Sequence, residues 1–234
     1  MELDRSEIKP SQNGHKTNGT NGHSVAEHAH VHDLAIPKAD FMSAERLTEI
    51  EDHVYHILEQ IGEDPERDGL LRTPRRVAKA YAELLEGYAQ DVQTVLNGAL
   101  FEVEYDEGEM VIVADIPYQS MCEHHMLPFT GKAHVAYIPR DRVVGLSKIP
   151  RIVDMFSKRL QVQERLTNEI AETLQEALDP LGVMIVMSGE HTCGSLRGVK
   201  KHGVHMITKA VRGAFREDSN LRAEFYELIK HSAK

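Results

Sequence analysis

The amino-acid sequence predicts an α+β fold in which strands alternate with paired helices. Three patterns indicate it: apolar residues recur at helical spacing after Ala44, they alternate with polar residues between 131 and 146, and a continuous apolar run covers 183–187. With 234 residues, the chain is long enough to bury one sizeable core without a disulfide framework. It contains no internal repeat, so we expect one main domain and an additional tail.

The first segment, residues 1–42, is predicted to be a disordered polar tail. Repeated Asn-Gly dipeptides and the lack of apolar periodicity mean that it cannot bury enough surface to offset the entropy of ordering. His28, His30 and His32 alternate within it and could bind a metal weakly. A solvated tail is the favoured interpretation, because nothing in this segment would preorganise a site.

Residues 43–100 are predicted to form an N-terminal helical region. A break rich in glycine, proline and charge separates two helices at 62–69. The second helix is expected to have Thr73 as its N-cap and Pro74 at its first position, and to end near Gly87. The first helix is indicated by apolar residues at helical spacing, Leu47, Ile50, Val54, Ile57, Leu58 and Ile61.

Residues 101–234 are predicted to form the main domain, with strands at 101–116 and 131–146 on either side of a loop that contains Met121–His125. Ser147 is expected to cap a helix with the apolar stripe Ile149, Ile152, Val153, Phe156 and Leu160. The remaining elements are a helix through Leu166, Ile170, Leu174 and Leu178, a buried strand at 183–187, a strand at 205–215 and a closing helix from about Asn220 to His231.

The charge balance restricts the partners of the protein. Its 27 Lys and Arg residues oppose 37 Asp and Glu residues, and the formal net charge of −10 disfavours nucleic acid and anionic membranes as partners. No apolar run approaches the roughly 18 residues that a membrane span needs, and no basic-then-apolar secretion signal is present at the N-terminus. We therefore expect a cytoplasmic protein, in which an anionic ligand would need a local basic cluster.

Cys122, His125 and Cys193 are predicted to hold one metal ion. The chain has two cysteines, and without a secretion signal burial and metal binding both stay open, so the neighbouring residues must decide. The Cys122-x-x-His125 spacing is typical of zinc ligand pairs, and Cys193 follows the predicted strand at 183–187. Three nitrogen and sulfur ligands with no evident fourth describe an open, catalytic zinc site with a position for water.

Spare imidazoles lie beside these ligands. For His124 and His191, proton transfer is favoured over a purely structural hydrogen bond, because a zinc hydrolase needs an acid or base near neutral pH. Glu123 could orient a metal ligand or be solvated.

Three cations are candidates for an anion site. Lys148 and Arg151 follow Ser147 on one helical face, near the free backbone N–H groups of a helix start, and Arg197 lies four residues after Cys193. Such residues are ordinarily solvated surface charges. Their closeness to the metal-ligand segments favours a role in phosphate binding.

Several segments together resemble the GTP cyclohydrolase I family over about residues 44–231. The resemblance implies a T-fold, an antiparallel sheet with paired helices on one side, so that 101–234 would be a T-fold catalytic domain. It also implies subunits that close into barrels in a toroidal homodecamer, with each active site assembled from neighbouring subunits. The segments that carry it are 61–70, Thr73–Lys79, Met121–His125, Gly145–Arg151, Gln161–Thr167, His191–Cys193 and Arg197–Val199.

The resemblance also implies residue roles. The zinc ligands are Cys122, His125 and Cys193, and the catalytic histidines are His124 and His191. Guanine recognition falls to Gln163 and Glu164. The triphosphate and ribose contacts are Ser147, Lys148, Arg151 and Arg197, with Arg76 as a further candidate.

The implied reaction is hydrolysis and rearrangement of GTP to 7,8-dihydroneopterin triphosphate and formate, the first step of pterin and folate biosynthesis. Water activated by Zn²⁺ attacks C8 while a histidine protonates the imidazole ring, and Ser147 assists opening of the ribose. The chain departs from the family pattern at 203–210, where Val204, Met206 and Lys209 replace small or hydroxylated residues, and at Gly194 and Ser195, which replace a bulkier pair.

This reaction has three alternatives. A paralogue that stops at a ring-opened GTP product and a non-catalytic, zinc-stabilised oligomeric scaffold both remain open. A zinc deaminase is disfavoured because the chain lacks the Pro-Cys-x-x-Cys and His-x-Glu patterns.

Overall fold

The computed structural model describes residues 37–102 and 109–232. The predicted tail lies outside these ranges except for its last six residues, which include a short 3-10 helix at Lys38–Asp40. His28, His30 and His32 also lie outside the described residues.

Three helices and a 3-10 turn form the N-terminal part of the described chain. The first helix, α1 (Ala44–Gln60), begins where the Ser43 hydroxyl accepts a hydrogen bond from the Arg46 N–H at 3.4 Å. It is followed by α2 (Thr73–Leu84), the 3-10 helix Glu86–Ala89 and α3 (Val92–Leu96).

The prediction that Thr73 caps the second helix is wrong by one residue. Arg72 occupies the N-cap position, Thr73 is the first helical residue and Pro74 the second. The Thr73 N–H donates to the Leu70 carbonyl at 2.7 Å, so a preceding turn already satisfies it and the helix starts earlier. Pro74 is tolerated there because N–H groups of the first turn have no helical partner.

The 3-10 helix Glu86–Ala89 docks the N-terminal helices on the main domain through a glycine. A Cβ atom at Gly87 would lie 2.1 Å from the Met155 carbonyl oxygen, which only a residue without a side chain avoids. The Gly87 N–H in turn donates to the Lys158 carbonyl at 3.0 Å.

The main domain contains seven strands and five helices within the described ranges, and its fold confirms the α+β prediction. The elements are β1 (Leu100–Glu102), β2 (Val111–Cys122), β3 (Pro128–Ile138), β4 (Arg142–Val144), α4 (Lys148–Ser157), β5 (Leu160–Gln161), α5 (Gln163–Leu178), β6 (Gly182–His191), α6 (Thr192–Ser195), β7 (His205–Gly213), α7 (Ala214–Glu217) and α8 (Ser219–Ser232). A five-stranded sheet has the order β5-β2-β3-β6-β7 and is antiparallel except for the short β2–β5 pair, while β1 and β4 form a separate antiparallel pair.

The two predicted strands at 101–116 and 131–146 have different bounds in the structure. The first continues to Cys122, because β2 and β3 stay paired, with one register shift between Val113 and Ile116, as far as Met121 opposite Pro128. The second is divided by the predicted turn at 139–141, after which β4 leaves β3 to pair with β1. Leu160, predicted on the stripe of α4, lies in β5 instead.

Helices cover both faces of the sheet, whereas the prediction had them on one. Because side chains alternate along a strand, Val135 and Tyr137 face α4 and α5, while Ala136 and Ile138 face a smaller core under α8. Phe225 of α8 is fully buried in this second core. None of the helices in the described ranges combines the length and apolar character that a membrane span requires.

Candidate active site

The predicted metal ligands lie together at one edge of the sheet. Cys122 ends β2, His125 lies in the turn that follows, and Cys193 lies in α6, directly after β6. Both β2 and β6 pair antiparallel with β3, so these two strands end at the same edge. The candidate ligand atoms of the three residues all lie within 4.8 Å of one another, and both cysteines are free thiols.

The chemistry of the donor set fits a zinc-like cation. Burial first and the neighbouring Cys122 thiol second raise the pKa of Cys193, because two ionised sulfurs would repel each other. A divalent cation between them would remove this penalty by stabilising both thiolates. Two sulfurs and an imidazole nitrogen are ligands that zinc prefers.

The turn that carries His125 is held by its backbone and by a neighbouring arginine. The Met126 N–H donates to the Cys122 carbonyl at 2.8 Å, and the Glu123 N–H donates to the Gln161 carbonyl of β5 at 3.1 Å. The Arg165 guanidinium forms an ion pair with the Glu123 carboxylate and donates to the Gln161 side-chain oxygen at 3.1 Å. Glu123, for which the sequence left orientation or solvation open, therefore ties the turn to α5.

His191 has a fixed ring position. Its imidazole stacks on Phe129, with ring centroids 4.4 Å apart and planes 7° from parallel. Its Nε2 atom lies 3.0 Å from the Gln163 side-chain oxygen, and Nδ1 has no hydrogen-bond partner among the described residues. Burial lowers the pKa of His191, so the neutral ring is favoured near pH 7.

His124 and Arg197 border the cluster from opposite segments. The Nδ1 atom of His124 lies 3.9 Å from the Cys122 sulfur, and its side chain is largely exposed. Arg197 donates from Nη1 to His125 Nε2 at 2.9 Å. Arg197, which was predicted to bind an anion, thus lies directly against a candidate metal ligand.

The two residues predicted to recognise guanine differ in accessibility. Gln163 is completely buried, and both ends of its side-chain amide are hydrogen-bonded within the chain. Glu164, the next residue, is exposed, and its charge acts on His191.

Four predicted substrate residues have no hydrogen bond or ion pair to the metal cluster among the described residues. Ser147 occupies the predicted N-cap position of α4, although its hydroxyl makes no capping hydrogen bond. Lys148 is buried and donates to the Val95 carbonyl of α3 at 3.0 Å, so its charge does not project freely at the helix start. Arg151 lines a shallow cavity beside the 3-10 helix, and Arg76 is exposed on α2.

The family model for GTP cyclohydrolase I matches residues 50–230. The chain belongs to the GTP cyclohydrolase I family. "GTP cyclohydrolase 1" of Leptospira biflexa serovar Patoc is 53% identical over 181 residues, which cover 77% of this chain and 98% of that protein. "GTP cyclohydrolase 1 2" of Pseudomonas putida is 55% identical over 178 residues, covering 76% and 95% of the two chains. "GTP cyclohydrolase 1" of Caldanaerobacter subterraneus subsp. tengcongensis is 55% identical over 177 residues, covering 75% and 93%.

Membership in the GTP cyclohydrolase I family confirms the resemblance and the prediction of a hydrolase. The matched residues include the metal cluster and every predicted catalytic and substrate residue. They also include the departures at 203–210, which therefore lie within a family domain and not beyond it.

Reasoning from the sequence missed two residues that shape this GTP cyclohydrolase I site. Arg165 lies within the family segment Gln161–Thr167, and its position four residues from both Gln161 and Glu169 is a signal for helical side-chain pairing. Phe129 carries no comparable signal, because its contact with His191 depends on the β3–β6 register.

Proposed function

We propose that this chain converts GTP and water to 7,8-dihydroneopterin triphosphate and formate at the edge of the sheet where Cys122, His125 and Cys193 meet. One observation carries the proposal: within a GTP cyclohydrolase I domain, the ligand atoms of two cysteines and a histidine lie within 4.8 Å of one another, and the nearby His191 ring is held by stacking on Phe129. Two hydrolytic steps each consume a water molecule, and closure of the new ring releases one.

Zn²⁺ is the proposed cofactor, held by Cys122, His125 and Cys193. When bound, it supplies Lewis acidity toward an oxygen nucleophile. Cysteine binds the ion as a thiolate; burial raises the pKa of Cys193, and the positive charge of Arg197, which lies against His125, opposes that rise. These contacts support an open site with three protein ligands.

His191 and His124 are the proposed proton-transfer residues. As water adds to C8 of the guanine, the bond between C8 and a ring nitrogen breaks, and that nitrogen must gain a proton. His191 is suited to relay this proton because Phe129 fixes its ring plane, and its Nδ1 atom, which has no partner among the described residues, can take a proton from the attacking water and pass it to that nitrogen. His124 is more exposed and is suited to exchange protons with solvent. Ser147 would assist opening of the ribose.

Substrate contacts are proposed from two groups of residues. Glu164 presents an exposed carboxylate that can accept hydrogen bonds from the ring N–H and amine of guanine. Gln163, the other residue of the predicted pair, is buried, and its side-chain oxygen lies against His191. For the triphosphate we propose Arg197 from the same edge, together with Lys148, Arg151 and, as a further contact, Arg76.

Lys148, Arg151 and Arg76 make no hydrogen bond or ion pair to the metal cluster within the described ranges, which supports a homo-oligomer in which neighbouring subunits complete each site. In the described part of the chain, β7 has no strand on its outer side, and its Ile207 side chain is exposed. Such an edge is a template for pairing with another chain. We propose that the open side of β7 pairs with a neighbouring subunit, and that subunits joined in this way form T-fold barrels and a toroidal decamer. Residues 101–234 would be the T-fold catalytic domain.

A cytoplasmic address is proposed because a site with two thiols needs a reducing compartment. The net charge of −10 supports a protein without nucleic-acid or membrane partners. At the atypical segment 203–210, Met206 contacts Gln163 through its backbone carbonyl, so the change of its side chain leaves that hydrogen bond in place and does not favour the paralogue or scaffold alternatives.

Incubating zinc-loaded protein with GTP tests the proposal. We expect formate release together with a product that fluoresces as an oxidised neopterin and has the mass of the triphosphate. A ring-opened product without formate would instead support the paralogue, and unchanged GTP would support the scaffold.

A further inference from the structure

The side chain of Gln163 lies between α5 and the two strands β6 and β7, and its orientation follows from its partners. Its Nε2 atom lies 3.2 Å from the Met187 carbonyl oxygen and 2.9 Å from the Met206 carbonyl oxygen. Backbone carbonyls only accept hydrogen bonds, so the end of the amide that faces them must be the NH₂ group.

Two threonines assign the same orientation independently. The Thr167 hydroxyl lies 2.6 Å from the Gln163 backbone oxygen, which can only accept, so Thr167 donates there. Thr208 must then donate to Thr167, at 2.6 Å, because the single Thr167 proton is already used. This leaves a lone pair on the Thr208 oxygen to accept from Gln163 Nε2 at 3.1 Å.

The opposite end of the amide is therefore a carbonyl oxygen that faces His191. Gln163 Oε1 lies 3.0 Å from His191 Nε2 and 3.3 Å from the Tyr118 hydroxyl. An amide oxygen accepts and never donates, so the proton of the neutral imidazole must be on Nε2.

Gly189 leaves the space that this contact requires. A Cβ atom at residue 189 would lie 2.7 Å from Gln163 Oε1 and 2.4 Å from the Tyr118 hydroxyl oxygen. Both are far shorter than an ordinary van der Waals contact, so any side chain at 189 would displace the acceptor of His191.

We infer that Gln163 is a positioning residue, whose side-chain oxygen holds His191 as the Nε2–H tautomer and leaves the Nδ1 lone pair for the reaction. The inference deepens the proposed function, on which the catalytic role of His191 rests. It also replaces the predicted contact between Gln163 and guanine, since this side chain has no exposed surface and no unused hydrogen-bonding group facing a substrate.

The first test compares Gln163→Met with Gln175→Met in the full-length, zinc-loaded protein. Both glutamines lie on α5, and Gln175 donates to the Pro180 carbonyl at 3.1 Å, about 18 Å along the helix from Gln163. We expect Gln163→Met to lower kcat about 100-fold, with the KM for GTP and the zinc content unchanged. Gln175→Met should retain kcat. A raised KM with normal kcat would mean a direct substrate contact and would overturn the inference.

Gly189→Ala provides a second variant if Gln163→Met does not fold, because it moves the acceptor without removing any hydrogen-bonding group. We expect it to lower kcat at constant KM as well. Combining Gln163→Met or Gly189→Ala with His191→Ala should give no further loss, since both changes act through the same imidazole. Additive losses would overturn the inference.

Spectra of protein labelled with ¹⁵N-histidine give a readout that does not need turnover. The His191 signals are identified by their loss in His191→Ala, and at neutral pH we expect a protonated Nε2 and an unprotonated Nδ1. In Gln163→Met both tautomers should be populated. A wild-type spectrum with the proton on Nδ1 would overturn the inference even if the protein turns over GTP. If wild-type protein releases no formate, the proposed function fails while this spectrum still decides the tautomer.

Discussion

Two regions of the chain carry residues that the sequence predicted to be functional: the sheet edge with the metal cluster, and the start of α4. The structure brings the predicted residues together in the first region but not in the second. At the sheet edge, Cys122, His125 and Cys193 converge from segments up to 71 positions apart in sequence. At the start of α4, Lys148 is buried against the Val95 carbonyl and has no bond to the cluster. The comparison teaches that the fold of one chain brings the three candidate metal ligands together, whereas it directs the Lys148 ammonium to the Val95 carbonyl.

The largest effect is expected from Cys193→Ser, which removes a ligand from the converged edge. Zinc content should fall to near zero and formate release by at least about 10³-fold, because two ligands hold zinc too weakly. Metal analysis of the purified protein and a formate assay measure both. Far-UV circular dichroism should be unchanged, since Cys193 lies at the margin of the main core. Full zinc occupancy would remove Cys193 from the ligand set.

His191→Ala separates proton transfer from metal binding within the same edge. We expect a normal zinc content and a loss of kcat of about 10²- to 10⁴-fold, the usual contribution of an acid–base residue. His202→Ala is the matched control, because His202 is exposed on the segment after α6. Turnover at the wild-type rate in His191→Ala would refute the proposed role.

Arg165→Met tests whether the turn between β2 and β3 must be held from α5. Loss of the contacts to Glu123 and Gln161 should weaken zinc affinity about 10- to 100-fold, as changes beside metal ligands typically do. Competition with a chelator measures the affinity. Arg212→Met removes a comparable ion pair, to Glu172 of the same helix, and should leave zinc affinity unchanged. Equal affinities in the two variants would mean that the turn needs no support from Arg165.

Lys148→Met addresses the other side of the comparison and should have the smallest effect. If Lys148 contacts the triphosphate, the KM for GTP should rise about 10-fold, with zinc content unchanged. The control is Lys132→Met, since Lys132 pairs with Asp115 on the sheet at 2.7 Å. An unchanged KM would assign Lys148 to the packing of α3 on α4 alone.

The helices of the main domain could be predicted from local pattern because their buried stripes repeat within each element. Ile152 and Phe156 on α4, and Ile170 and Leu174 on α5, are all buried as the spacing indicated. The strand ends could not be predicted in the same way. The end of β2 at Cys122 depends on pairing with β3, and the division at 139–141 depends on β4 finding β1.

The sequence by itself determined the family and the three candidate metal ligands, because rare residue types at short spacing carry that information without reference to the fold. Only the tertiary structure decided what surrounds them. Gln163 meets His191 across 28 residues, and Phe129 meets it through the register of two strands. Hydrogen-bond direction and ring stacking act over a few ångströms in space, so they appear only once distant segments are packed together.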